Sequence, residues 1–199
     1  MEKNCGVLLA GGESRRMGTN KAYLILDGRY VINWVDETLD NIADQVAVVS
    51  NPPYDYSFLG RKVISDIYKS QGPLAGLHAV INLIEADNYI VSACDTPFIS
   101  AQVYKDILRQ KNGYDAAVPV FDGRFHPLSG IYSRKVFPHL ENLLHEGNNS
   151  MKALLDTINT IYIYEYPGSS HEEQRRHFFN MNEQKDYELA KKMLKDRSK

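Results

Sequence analysis

The sequence predicts an α/β fold: a mostly parallel central sheet with helices on both faces and a mixed, partly antiparallel second half. Three observations carry this expectation. Short apolar runs, suited to strands buried on both faces, alternate with amphipathic helical stretches. Three of these runs end at polar clusters, Gly11-Gly12, Asp66 and Asp95, and in such sheets ligands sit beyond the carboxyl ends of the strands. Further on, Asp122-Gly123 separates two strand-like stretches, the signal of an antiparallel hairpin.

The elements follow in order. Cys5 to Ala10 is a continuous apolar run closed by Gly11-Gly12, a buried strand followed by a turn. From Val31 to Ala43 the residues Val31, Ile32, Trp34, Val35, Leu39 and Ile42 recur at near-helical spacing among acids and asparagine, which predicts an amphipathic helix. Val46 to Val49 is a strand, ended by Asn51-Pro52-Pro53 because proline cannot continue a ladder. Val63 to Asp66 is another short strand, and Leu74 to Ile84 is helical after Gly72-Pro73. Tyr89 to Ala93 is a strand ending at Cys94-Asp95-Thr96-Pro97, and a helix is expected over Ala101 to Gln110. Ala116 to Val120 and Gly130 to Tyr132 are strand-like around the Asp122-Gly123 turn. Helices are expected over Arg134 to His145, Ser150 to Asp156 and Glu183 to Leu194, with Ile161 to Tyr166 a strand rich in β-branched and aromatic residues.

At 199 residues the chain suits a single domain with a core that needs no disulfide or structural metal. Lys plus Arg number 23 against 25 Asp plus Glu, a formal charge of −2, so no bulk attraction to nucleic acid or an acidic membrane is expected. Any anionic ligand must be caught by a local basic cluster. Cys5 and Cys94 fall in or beside buried strands and no secretory pattern precedes them, which predicts a reduced, cytoplasmic location. No apolar stretch approaches the ~20 residues of a membrane-spanning helix.

The most informative segment runs from Leu9 to Ala22, Leu-Ala-Gly-Gly-Glu-Ser-Arg-Arg-Met-Gly-Thr-Asn-Lys-Ala. A glycine-rich turn leaving a buried strand lets backbone N–H groups close on phosphate oxygens, while Arg15, Arg16 and Lys21 supply neutralising charge. Polyphosphate binding is the chemistry implied. The segment is neither a Walker loop, which needs Gly-Lys before Ser or Thr, nor the G-x-G-x-x-G dinucleotide fingerprint.

With its L-A-G-G-x-S-x-R-M-G-x-x-K pattern, the chain resembles the nucleotidyltransferases, and specifically the molybdenum cofactor guanylyltransferases. The resemblance extends to Gly72-Pro73-Leu74-Ala75-Gly76, Cys94-Asp95-Thr96-Pro97, His126-Pro127 and Asn180-Met181-Asn182, nearly the whole chain. It implies a Rossmann-like nucleotidyltransferase fold in one domain, residues 1–199, with a nucleotide-binding half (1–100) and an acceptor-binding half (101–199). It implies GTP contacts at Leu9, Ala10, Gly11, Gly12, Lys21, Asn51, Asp66, Gly72, Pro73, Leu74 and Asp95. Backbone groups near Pro73 and Leu74, at a helix start, are free to read a base edge. Gly-Gly in the first loop and G-P-L-A-G in the second are of the guanylyl type; cytidylyl relatives carry Ala-Gly and a different second segment.

Asp95 is the expected Mg²⁺ ligand, because a carboxylate at a strand end facing a triphosphate suits a hard, water-retaining cation; a lone Asp before Thr-Pro also serves as a cap or turn residue. Acceptor contacts are implied for His126, Asn180 and Asn182. Either asparagine could equally cap the helix that follows, where Glu183-Gln184-Lys185-Asp186 replaces the Thr-Pro-Glu-Asp usual in the family. His78, His139, His145, His171 and His177 show no metal-ligand spacing and are expected at the surface or half-buried.

The reaction implied is attack by the terminal phosphate of molybdenum-molybdopterin on the α-phosphorus of GTP, with Mg²⁺ as cofactor and pyrophosphate released. Arg15, Arg16, Lys21 and Asp95 are the expected catalytic residues, and transient contact with other proteins of cofactor biosynthesis is expected. A cytidylyl or sugar-1-phosphate transferase, or a non-catalytic nucleotide-binding regulator, would share much of this pattern. A nucleic-acid-binding role has little support, because no second basic stripe accompanies Arg15-Arg16.

Overall fold

The computed structural model describes residues 2–11 and 20–195. The elements run β1 (Asn4–Leu9), β2 (Ile25–Leu26), β3 (Arg29–Tyr30), α1 (Val31–Asp40), β4 (Gln45–Val49), β5 (Lys62–Ile64), α2 (Gly72–Leu83), β6 (Asn88–Ala93) and α3 (Ala101–Gln110). They continue with β7 (Ala116–Phe121), β8 (Arg124–Phe125), β9 (Ile131–Ser133), α4 (Phe137–His145), α5 (Met151–Thr157), β10 (Thr160–Ile163), α6 (His171–His177) and α7 (Gln184–Lys195).

The main sheet has the order β10-β7-β9-β6-β1-β4-β5, with β8 paired to β7. β5, β4, β1 and β6 are mutually parallel. β9 lies antiparallel to both β6 and β7, while β10 is parallel to β7. The mostly parallel sheet with a mixed second half is therefore observed. Chain connections leave β1 toward β4 and return through α2 to β6 on its other side, so the crevice of the topological switch opens beyond Leu9 and Ala93.

Successive strand residues face opposite sides, and the sequence is apolar on both. Val7, Val49, Val91 and Val118 pack with α2, α4 and α5. Their neighbours Leu8, Val48, Ile90 and Ala117 pack with α1 and α3. A smaller core of Leu26, Val31, Phe98, Met181 and Ala190 seats α7 against the β2–β3 hairpin. Helix α2 is buried from Leu74 to Ile81, as expected for the helix that returns across the sheet. No helix among the described residues is long and apolar enough to cross a membrane.

Most differences from the sequence expectation are at element ends. The Asp122-Gly123 hairpin forms as expected, both residues at positive φ (48° and 71°), the requirement of a two-residue I′ turn. Arg134–Val136 is a 3₁₀ turn leading into α4, because Pro138 favours a helix start there. The strand expected to reach Tyr166 stops at Ile163, after which Tyr166 turns inward and its hydroxyl donates to the Ile163 and Val120 carbonyls. Periodicity does not predict the β2–β3 hairpin or α6, which are short or lack an apolar stripe. His78 and His177 correct a second expectation: they are 3% and 0% exposed, packed among aromatic rings.

Candidate active site

One cleft of about 1030 Å³ opens beyond the strand ends, lined from both halves of the chain. Of the residues singled out in the sequence, Leu9, Gly11, Asn51, Asp66, Gly72, Pro73, Asp95, His126, Asn180 and Asn182 all line it. Gly12, Arg15 and Arg16 lie outside the described residues. Ala10 and Leu74 are buried in the core, and the Ala10 carbonyl accepts from the Tyr56 hydroxyl at 3.4 Å. Ala10 spends its N–H on the Val49 carbonyl at 2.9 Å.

Asn51 follows β4 and Asp66 follows β5. Their side chains form a reciprocal pair: Asn51 Nδ2 donates to Asp66 Oδ2 at 2.7 Å, and the Asp66 backbone N–H donates to Asn51 Oδ1 at 3.0 Å. Burial raises the Asp66 pKa above the ordinary carboxylate value, opposed by the Asn51 hydrogen bond. Asp66 Oδ1 is buried with no hydrogen-bond partner. Such an acceptor is costly unless a ligand completes it.

The wall beside this pair is the start of α2. Gly72 sits at φ 62°, a conformation that strains residues bearing a Cβ. At Gly76 an added Cβ would come within 3.0 Å of Leu9 Cδ2 and Val49 Cγ1. The absence of a side chain there lets α2 approach the strand ends and keeps the cleft open next to Asp66, whose Oδ1 would lie 3.6 Å from that Cβ.

Lys21 meets the cleft through Asp95 and Asn182, which line it: its Nζ donates to Asp95 Oδ2 at 3.0 Å and to Asn182 Oδ1 at 2.9 Å. Its placement is local in origin. Asn20 caps a short 3₁₀ turn over Lys21–Tyr23 by accepting from the Ala22 N–H, and its amide donates to the Tyr56 hydroxyl at 2.8 Å. Tyr56 is buried and stacks on Tyr23 with centroids 5.2 Å apart. Asp95 follows β6, where the Cys94 N–H donates to the Leu9 carbonyl and Thr96 Oγ1 to the Ala93 carbonyl. The Asp95 carbonyl accepts from the Met181 N–H at 2.9 Å, which brings the Asn180–Asn182 loop to the strand end.

The helix after that loop starts without Thr-Pro. The Asp186 carboxylate reaches back to accept from the Asn182 and Glu183 N–H groups at 2.9 and 2.8 Å, satisfying two N-terminal donors that have no intrahelical partner. His126 lines the cleft from the second half of the chain. Its Nε2 is buried without a hydrogen-bond partner, burial lowers its pKa and keeps the ring neutral, and the ring lies 4.6 Å from Phe178. Pro52, Pro53, Tyr54, Ser70 and Phe125 also line the cleft; only their place after strand ends or on the hairpin distinguishes them in sequence.

No cluster of three or more His, Cys, Asp or Glu side chains suited to a metal occurs among the described residues. Asp95 stands as a single carboxylate beside the amide oxygen of Asn182. That donor set fits a cation held through one protein carboxylate and otherwise by phosphate and water, as Mg²⁺ commonly is.

Comparison with known proteins agrees with this geometry. The model of the MobA-like NTP transferase domain matches residues 6–161. A probable molybdenum cofactor guanylyltransferase from Clostridium perfringens is 34% identical over 94% of this chain and 96% of its own length. The molybdenum cofactor guanylyltransferase of Desulfosudis oleivorans is 33% identical, with 98% of both chains covered. Among solved structures, molybdopterin-guanine dinucleotide biosynthesis protein A from Archaeoglobus fulgidus superposes with a TM-score of 0.83 at 26% identity, covering 96% of this chain and 99% of the other. The chain belongs to the family of MobA-like NTP transferases.

Proposed function

We propose that this enzyme transfers GMP from GTP to the terminal phosphate of molybdenum-molybdopterin, releasing pyrophosphate and forming the guanine dinucleotide form of the cofactor. The observation that carries the reading is that one cleft is lined by two polar sets, Asn51 with Asp66 and Asp95 with Asn182, the second of which is joined by the Lys21 ammonium. The family and the names of its full-length relatives supply the reaction class.

On this reading Asp66 Oδ1 accepts from the N–H groups of guanine, with the amides at the start of α2 completing the base edge. Gly11, which lines the cleft beyond β1, presents backbone to the phosphates, and Lys21 leaves Asp95 to hold the departing pyrophosphate together with Arg15 or Arg16. A terminal phosphate monoester has its second pKa near ~6 and is largely dianionic at neutral pH, so its oxygen attacks the α-phosphorus without a general base. The bond from the α-phosphorus to the β-phosphate oxygen breaks, and its electron pair leaves with pyrophosphate. The protein's part is in-line positioning and charge neutralisation. Mg²⁺, when held by Asp95, would add positive charge beside the triphosphate. His126, Asn180 and Asn182 orient the acceptor.

The test is pyrophosphate release and dinucleotide formation with molybdenum-loaded molybdopterin, comparing GTP with CTP. Equimolar pyrophosphate and guanine dinucleotide from GTP, with little product from CTP, is expected. Efficient cytidylyl transfer, or no transfer from either nucleotide, would overturn the assignment.

A further inference from the structure

His177 is the last residue of α6 and is fully buried. Its Nδ1 accepts a hydrogen bond from the backbone N–H of Ser100 at 2.9 Å, so that nitrogen carries no proton. Ser100 caps α3 and closes the segment that begins at Asp95. Phe178 to Asn182 follow His177 directly, and this loop is tied again at Met181, whose N–H donates to the Asp95 carbonyl at 2.9 Å. Two hydrogen bonds therefore set the loop of Asn180 and Asn182 against the segment of Asp95, one at each end.

The ring also acts sideways. Phe178 lies between two imidazoles, with centroids 4.6 Å from His177 and 4.6 Å from His126, and His126 lines the cleft. Tyr104 holds the His177 ring at 4.9 Å, and Glu173 of the same helix bonds the Ser100 hydroxyl. An apolar core residue could fill this space but could not accept from the Ser100 N–H. Burial drives the His177 pKa down to about 3, which keeps the acceptor lone pair available at neutral pH.

We propose that His177 is a positioning residue for the acceptor side of the cleft: by accepting from the Ser100 N–H it fixes the Phe178–Asn182 loop against the Asp95 segment, and through Phe178 it backs His126. This rests on the acceptor role given above to His126, Asn180 and Asn182. His177 touches no substrate itself.

The test compares two amides. Asparagine places its carbonyl oxygen near the position of Nδ1 and keeps the acceptor for Ser100; glutamine, one methylene longer, carries its amide near the position of Nε2 and does not. His177→Gln should raise the KM for molybdenum-loaded molybdopterin about tenfold while the KM for GTP stays within about twofold, and His177→Asn should return the acceptor KM to within about threefold of wild type. Equal behaviour of the two variants, parallel changes in both KM values, or failure of both to fold would make His177 an ordinary core histidine and overturn the proposal. If the wild-type protein transfers nothing to this acceptor, the functional reading fails instead. The side-chain amide resonances of Asn180 and Asn182 then decide the positioning role: it stands if His177→Gln shifts them and His177→Asn does not, and falls otherwise.

Discussion

Replacing Asp66 with asparagine removes one charge and one acceptor at nearly unchanged volume. The variant can turn its Oδ1 toward Asn51 and keep the bond that Asp66 Oδ2 now accepts at 2.7 Å. Its amide nitrogen then occupies the place of Asp66 Oδ1, the buried oxygen that has no hydrogen-bond partner. A guanine N–H would meet a donor in place of a charged acceptor. A hydrogen bond to a charged group contributes about 1.5–3 kcal/mol, which corresponds to a loss of roughly 10- to 150-fold in GTP affinity. Isothermal titration with GTP and CTP at neutral pH reads this directly. CTP binding, carried by phosphate and ribose contacts, should change by less than about twofold. Equal losses for the two nucleotides, or an unchanged Kd for GTP, would refute base reading by Asp66. Acidification gives an independent check. Burial raises the Asp66 pKa above 3.8, so GTP affinity should begin to fall with decreasing pH before ordinary carboxylates protonate, and Asp66→Asn should lack this limb. Stability has the opposite sign: with the folded pKa raised, the contribution of Asp66 is full below 3.8 and is lost as pH rises through the folded value.

Lys21→Met removes the cation shared by Asp95 and Asn182 and should lower kcat/KM, measured by pyrophosphate release, on the order of 10²- to 10³-fold; a loss under about tenfold would reduce Lys21 to a partner of Asp95. Asp186→Ala strips two N–H groups of their acceptor, at a cost of about 1 kcal/mol, seen as a melting point lowered by about 2–4 °C; an unchanged melting point would mean that the start of α7 does not depend on this cap. His177 has a folded pKa of about 3 against an ordinary 6.5, so its contribution is full above 6.5 and is lost as pH falls below it. Urea unfolding of wild type should lose about 1.4 kcal/mol per pH unit from this group between pH 6 and 4, a slope absent in His177→Asn. Identical pH slopes for the two proteins would contradict its burial as a neutral ring.

The ends of β1, β4, β5 and β6 were legible because each apolar run stops at a residue that cannot continue a strand core: Gly11, Asn51, Asp66 and Asp95. A parallel sheet then gathers those ends at one edge without further information from the sequence. Smaller elements escaped because periodicity needs length. β2 and β3 have two residues each, although Asp27-Gly28 between them carries the same turn signal as Asp122-Gly123. α6, His-Glu-Glu-Gln-Arg-Arg-His, has no apolar stripe; its signal was the Ser170-x-x-Glu173 pattern of a capped start. The burial of His177 is hidden for the same reason, since it ends a charged heptapeptide and tertiary contacts with Ser100 and Tyr104 hold it inward. Several residues that line the cleft, among them Asn51, Asp66 and Asp95, are legible one by one, whereas the pairings of Lys21 with Asp95 and Asn182, and of Asn51 with Asp66, depend on long-range contacts that no local pattern encodes.

The central claim, guanylyl transfer neutralised by Lys21 and a cation on Asp95, is tested most directly by Asp95→Asn. Pyrophosphate release is followed with GTP and molybdenum-loaded molybdopterin while magnesium is titrated, for wild type and variant, with GTP affinity measured in parallel. Charge builds most in the transition state, so the account predicts magnesium-dependent turnover for wild type and a loss of at least about 10²-fold in kcat for the variant, with GTP affinity weakened by less than about tenfold. Near-normal turnover with unchanged magnesium dependence in Asp95→Asn would contradict it and leave Asp95 a turn residue at the end of β6.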